Sequence, residues 1–379
     1  MDLIKKSPAF LAGVDHSKKG SGNRRTIMYK LGIIGFGGMA GNHYKQISKK
    51  NLPVEVKGVY DIDQSRMDDA KAKGLVCYES RQALVNDPEL DIVLIAVPNH
   101  LHRDFAIEAL RAGKHVLCEK PVTITASDLE DIMAVAKETG KIFTVDQNRR
   151  VNKDFVLMKR SVESGLIGKP YVIESRVEGS RGVPEGWRTS KEQGGGMMLD
   201  WGVHLIDQIM YMYPDKVTSV YCRMFSLFYP EVDDNFRLIL TLENGVTAQI
   251  EVSTNNFVKH PRWYVLGTNG TLQINDWSCE GVVIQPKTRE DTWSVEIAPD
   301  KAGPSKTMAA RDPSSVMSWD LRAPIDVIDN IEPTYTQMID AIEGKAPLKI
   351  TAEQALRVVK VMEAAFESAK NNQVIHTDI

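Results

Sequence analysis

Lys30-Leu-Gly-Ile-Ile-Gly35-Phe-Gly-Gly-Met-Ala40 is an apolar run that breaks into a glycine turn and leaves it as the start of a helix. Gly35 allows the tight turn, Gly37 lets a backbone approach a phosphate closely, and Ala40 lets helix and strand pack close together. This G-x-G-x-x-A pattern gains weight from its context: a strand before, a helix after, and an acidic residue about 20 residues further on. Val54 to Tyr60 reads as the second strand, and Asp61 ends it. A pyrophosphate is therefore expected at the helix N-terminus and an adenosine ribose on Asp61. Gly35, Phe36, Gly37, Gly38, Met39 and Asp61 are the expected dinucleotide contacts. A carboxylate at position 61 repels a 2′-phosphate, so the expected cofactor is NAD. Arg66 would soften that choice, but it reads as a solvated helix residue.

Outward from this turn, strands and helices alternate. A helix is expected over 38–49 and strands over 75–78, 91–97, 115–118 and 141–145, with helices over 102–112 and 127–139 between the later ones. Asp91-Ile-Val-Leu-Ile-Ala-Val97 is apolar throughout, as a strand covered on both faces must be. Such alternation predicts a doubly wound parallel sheet, an α/β nucleotide domain over residues 28–148.

Beyond residue 148 the texture changes. Stretches 171–177, 217–224, 236–242 and 246–253 read as longer strands, the last two joined by Glu243-Asn244-Gly245, a hairpin signal. Thr268-Asn269-Gly270 marks another turn. These features predict an α+β domain over 149–379 with a large open, mainly antiparallel sheet. Residues 280–330 read as long surface excursions. Tyr335, Met338, Ile339 and Ile342 line one helix face, and Thr351 with Gln354 opens a further helix as a capping box.

Composition narrows the class. The chain has 379 residues, 42% of them apolar and 26% charged, with net charge −3. It is long enough for two domains and carries no basic excess for nucleic acid. Cys77, Cys118, Cys222 and Cys279 form no CxxC pair, which argues for a reducing compartment and a cytoplasmic protein. The apolar runs are strand-sized, so no membrane span is expected. Residues 1–27 are polar and basic and read as a disordered extension, not as a removable signal.

Two further segments carry chemistry. Ala96-Val97-Pro98-Asn99-His100-Leu101-His102 and AGKHVLCEKP at 112–121 lie at the carboxyl ends of parallel strands, where open α/β sheets bind ligands. Val97, Pro98, Asn99, His102, Glu119 and Lys120 are thus expected around the cofactor, with the Lys120 ammonium at the lip of the crevice. His100 and His102 form an H-x-H pair, but hydride chemistry needs no metal and no other ligands cluster beside it, so no metal site is expected. GGGMMLDWGVHLID at 194–207 places Asp200 and His204 four residues apart, on one face of a helix. An acid beside a histidine sets its tautomer and raises its basicity, as a general base requires.

Together these segments resemble the Gfo/Idh/MocA oxidoreductases, the glucose–fructose oxidoreductase and inositol dehydrogenase group, from about Tyr29 to the C-terminus. Asp233-Asp234-Asn235 and Leu266 to Leu272 add weaker marks. The resemblance implies a Rossmann domain followed by an open-sheet domain used for dimer or tetramer contacts. It implies Lys120, Asp200 and His204 as the catalytic trio, His204 taking the hydroxyl proton and Lys120 bonding the reacting oxygen. It places Asn148 and Arg149 beside nicotinamide and substrate, and Trp187 and Arg188 along the substrate. The expected function is NAD-dependent oxidation of a ring hydroxyl in a sugar, glycoside or cyclic polyol. Two alternatives stay open: glycoside cleavage through transient oxidation, and a non-catalytic sensor on the same fold.

Overall fold

A computed structural model describes residues 28–50, 52–288, 311–327 and 331–379, together with the backbone of a two-residue strand, Ile4–Lys5 (β1). The expected extension at 1–27 otherwise lies outside the described residues.

The nucleotide domain follows the alternation read from sequence. Its strands are Tyr29–Ile34 (β2), Val54–Tyr60 (β3), Val76–Cys77 (β4), Ile92–Ile95 (β5), His115–Cys118 (β6) and Phe143–Val145 (β7). They form one six-stranded sheet, parallel throughout, in the order β4-β3-β2-β5-β6-β7. Helices Gly38–Lys49 (α1), Gln64–Ala72 (α2), Arg81–Val85 (α3), His102–Arg111 (α4) and Ala126–Thr139 (α5) connect them. The order reverses beside β2, so the carboxyl ends of β2 and β5 diverge there and open a crevice.

Helix Lys153–Glu163 (α6) leads into the second domain. Its strands are Pro170–Glu178 (β8), Val217–Phe225 (β9), Asn235–Leu242 (β10), Thr247–Ser253 (β11), Trp263–Gly267 (β12), Gly270–Ile274 (β13), Gly281–Pro286 (β14), Val316–Leu321 (β15) and Ile375–His376 (β16). With β1 they make a ten-stranded mixed sheet, ordered β1-β15-β14-β13-β12-β8-β11-β10-β9-β16. One face is covered by a helix, Val203–Met212 (α7), and by the long Ala352–Asn371 (α9), whose capping box forms as expected. Paired positions across the other face include Tyr221, Ile239, Tyr264 and Val282, and in the next rows Val172, Leu266 and Ile284. These side chains are half-buried or, at Ile239 and Ile284, exposed.

Two expectations change. The stretch 280–330 contains β14 and β15, an antiparallel pair that extends the sheet, while residues 289–310 and 328–330 lie outside the described residues. Helix Glu332–Ile342 (α8), on the far side of the expected boundary at 148, returns to the nucleotide domain. Its Tyr335, Met338 and Ile339 pack with Leu31, Phe36, Ala40, Val59 and Leu94. An amphipathic stripe specifies that a face is buried, not which sheet it meets.

Tyr335 is fully buried and donates to or accepts from His43 Nδ1 at 2.9 Å. Truncating it to Ala should cost about 3 kcal/mol or more, the usual range for a large core side chain. Urea unfolding with an unchanged m-value would measure this, and a loss below about 1 kcal/mol would show that α8 is peripheral to the nucleotide domain.

Candidate active site

The crevice begins at the glycine turn. Gly35 has φ +88°, and a Cβ there would lie 2.4 Å from the Ala96 carbonyl oxygen, so only glycine fits. Above the turn there is room: a Cβ on Gly38 would meet nothing within 4 Å, and one on Gly37 would meet first the Arg66 guanidinium at 3.6 Å. Helix α1 starts with no side-chain cap, leaving its first N–H groups to an anion. These features fit a dinucleotide pyrophosphate. Phe36 N donates to Asp61 Oδ2 at 2.6 Å, which fastens the turn to the end of β3. Met39 is partly exposed at the helix start. Arg66 departs from expectation, since its Nη1 lies 3.2 Å from Asp61 Oδ2 and it leans over the glycine turn. Asp63 caps α2, its side chain accepting from Ser65 N at 2.9 Å.

Across the crevice, Val97 and Pro98 lead into a short turn, Asn99–Leu101. Asn99 is buried and donates through Nδ2 to the Gly194 carbonyl at 2.7 Å, joining the two domains. His102, expected against the cofactor, is fully buried instead. Its ring nitrogens lie 2.9 Å from the Val97 and Pro121 carbonyls, so it ties the ends of β5 and β6 together. His100 is exposed whereas His102 is buried, and neither belongs to a metal-capable cluster among the described residues.

Glu119 makes its side-chain contacts with His43 and the Lys120 amide. Its Oε1 lies 3.2 Å from His43 Nε2, which is 3.4 Å from Asp146 Oδ2. Thr334 and Asn148 donate to the two oxygens of Asp146, each at 3.0 Å. His43, Glu119 and Asp146 bring three ligand atoms within 4.8 Å of one another. Burial opposes the His43 charge, yet Tyr335, Asp146 and Glu119 outweigh burial and hold it well above the ordinary histidine value. The cluster ties α1, β6, β7 and α8 into one buried joint.

Lys120 follows Glu119, and its peptide to Pro121 is cis. Its Nζ donates to the Asp200 backbone carbonyl at 2.8 Å and to Asp200 Oδ1 at 2.9 Å. Asp200 Oδ2 takes Arg188 Nε at 3.0 Å. Burial opposes the Asp200 charge, but Lys120 and Arg188 hold it below the usual carboxylate range. Asp200 is therefore not the partner of His204. The reason lies in the backbone: Met198–Gly202 is a π turn, so residues four apart no longer stack as they would in an α-helix. His204 Nδ1 is buried with no hydrogen-bond partner among the described residues. Burial, then the charges of Lys120 and Arg149, push it well below the ordinary histidine value. Burial and the two neighbouring cations both favour the neutral form of its imidazole.

The three glycines before the π turn each make room for another segment. A Cβ on Gly194 would strike Asn99, on Gly195 the Arg188 carbonyl, and on Gly196 the Asp233 carboxylate. Asn148 gives its amide to Asp146, whereas Arg149 lies with its cation 4.1 Å above the Trp201 ring. Arg188 also stacks on Trp187 at 4.4 Å. Trp201 is 6.1 Å from both the His204 and Trp277 rings. Sequence reading missed His43, Asp146, Tyr335, Trp201 and Trp277. Only Trp201, inside the DWGVH segment, carried a local signal.

Residues 29–147 match the oxidoreductase family with an NAD-binding Rossmann fold, and residues 155–273 match the GFO/IDH/MocA C-terminal domain. The scyllo-inositol 2-dehydrogenase (NADP(+)) of Bacillus subtilis is 27% identical over 380 residues, covering 93% of this chain and 97% of that protein. An uncharacterized oxidoreductase of the same organism, YrbE, is 31% identical over 256 residues, covering 65% of this chain and 73% of that protein. Among solved structures, an NAD-binding protein from Listeria innocua is 42% identical, with a TM-score of 0.87 over 92% of this chain and 99% of its own. With the crossover at β2, the glycine turn and the open second sheet all present, the chain belongs to the Gfo/Idh/MocA family of oxidoreductases.

Proposed function

We propose that the protein is a dehydrogenase that moves a hydride between NAD and a ring hydroxyl of a sugar, glycoside or cyclic polyol. The observation that carries this reading is an anchored ammonium beside a neutral buried imidazole, close enough for the Lys120 charge to depress the basicity of His204. Asp61 would take the adenosine ribose and the start of α1 the pyrophosphate. The nicotinamide, when bound, supplies the hydride acceptor or donor. His204 accepts the hydroxyl proton during oxidation and returns it during reduction. Lys120 spends two hydrogens on Asp200 and keeps a third for the reacting oxygen. Arg188 holds Asp200 from the other side, so the ammonium cannot drift. Arg149 and Trp201 wall the site, and Asn148 positions their turn through Asp146.

Inositol 2-dehydrogenases among the relatives, such as that of Salmonella typhimurium at 28% identity, favour a cyclic polyol. A panel of inositols, aldoses, glycosides and sugar acids with NAD, read by nicotinamide absorbance, tests the reading. Net accumulation of NADH supports it. Cleavage of a nitrophenyl glycoside without net NADH would replace it with transient oxidation.

His204→Ala should lower kcat by about 10² to 10⁴, the usual worth of a positioned base, while NADH binding changes little. His204 has a folded pKa below its unfolded one, so the neutral form persists as pH falls through the ordinary histidine range. Stability from this group is lost only below the unfolded value near 6.5. Lys120→Met removes a depressing charge, so the His204 pKa should rise, as ring NMR would record. An unchanged or lower value would exclude Lys120 as its neighbour.

For the cofactor, kcat/KM should favour NAD over NADP by at least about tenfold, roughly 1.4 kcal/mol. Asp61→Ser should narrow the gap, and Arg66→Ala should widen it, because Arg66 is the cation within reach of a 2′-phosphate. A wild-type preference for NADP would remove Asp61 as the ribose ligand.

The half-apolar open face of the second sheet favours a homo-oligomer. Light scattering should give a dimer or tetramer mass, and a clean monomer at micromolar concentration would contradict it.

A further inference from the structure

The π turn that carries Asp200 needs something to hold its start. No side chain of its own caps it. The hold comes from the segment between β9 and β10: Met197 N donates to the Asp233 carbonyl at 2.9 Å, and Met198 N to Asp233 Oδ2 at 2.7 Å. Gly196, at φ +101°, would place a Cβ 2.3 Å from Asp233 Oδ1, so glycine is required for the carboxylate to reach these amides. The neighbouring residues brace the segment. Asp234 takes Phe228 N at 2.7 Å and Asn235 Nδ2 at 2.6 Å, and Asn235 Oδ1 takes Ser253 Oγ and Thr254 N.

We propose that Asp233 is a positioning residue for the reaction, whose ionised carboxylate clamps the start of the π turn and so holds Asp200 and His204 against Lys120. This rests on the dehydrogenase reading above. Asp233 is buried and, among the described residues, forms no ion pair. The titratable groups facing it are Asp234 on its own segment and Cys222 on β9, while residues 196–198 present backbone only. Burial raises its pKa to about 7; the Met198 amide and its own backbone amide oppose the rise, and the Asp234 charge adds to it. The sign is that of an acid raised in the fold: above about 7 the carboxylate is charged and the clamp strong, and below it the clamp weakens to a neutral hydrogen bond. Burial and nearby cations hold the His204 pKa well below the ordinary histidine value, so the clamp predicts an acid limb of turnover near neutrality that follows Asp233.

The test uses the full-length protein, with Asp233→Asn, which keeps the shape without the charge, and Asp233→Ala, which removes the clamp. Three readouts are taken from pH 5.5 to 8.5: kcat, NADH affinity by fluorescence, and exchange protection of the Met198 amide. Thermal melts establish that each variant is folded at the assay temperature. The wild type should lose kcat and Met198 protection together as pH falls through about 7. Asp233→Asn should show neither limb and stay near the wild-type acidic plateau. Asp233→Ala should lower kcat by about tenfold or more, with NADH affinity within about twofold of wild type. If Asp233→Asn keeps the wild-type limbs, or Asp233→Ala keeps wild-type kcat and Met198 protection, the proposal is overturned. Should no substrate support turnover, the dehydrogenase reading fails while Met198 exchange still decides the clamp.

Discussion

The site depends on one ion pair that crosses between the domains. Lys120 stands at the end of β6 in the nucleotide sheet, and Asp200 sits on the π turn above the second sheet. Their side chains keep only 13% and 11% of their exposure, so each charge loses most of its water. A buried pair survives such desolvation only when its remaining hydrogen-bonding capacity is met. Here the ammonium takes both the carboxylate and the backbone carbonyl of Asp200, and Arg188 takes the second carboxylate oxygen. The pair therefore ties the end of β6 to the π turn, and the glycines at 194–196 leave room for other segments to approach it.

A second joint lies behind the first. His43, Glu119, Asp146 and Tyr335 bring α1, β6, β7 and α8 to one buried point. The carboxylates of Glu119 and Asp146 favour the charged form of the His43 imidazole against its burial. Because Glu119 precedes Lys120 and Asp146 holds Asn148, helix α1 and the carboxyl ends of β6 and β7 share one anchor. Helix α8 belongs to this joint although its sequence neighbours belong to the other sheet.

Within the site, two acids and two histidines take roles that their spacing alone does not assign. Asp200 serves Lys120 and Arg188, and His204 Nδ1 is left without a carboxylate partner among the described residues. His102 is a fastener of strand ends. Arg66 shares the Asp61 carboxylate with the glycine turn, so a cation and an acid stand together at the end of β3.

What the amino-acid order determined by itself was local. The glycine turn, the alternation of strands and helices, the hairpin at Asn244-Gly245 and the capping box at Thr351 are each written in a few adjacent residues, because turn torsions, side-chain period and caps act over one or two turns of chain. Tertiary structure alone decided the rest. It added β14 and β15 to the sheet edge, brought α8 back to the first domain, widened a helix turn so that Asp200 and His204 parted, and set Asp233 on Met198. Each of these is a pairing between distant residues, selected by burial and by the demand that buried polar groups find partners, and neither condition exists until the chain has folded.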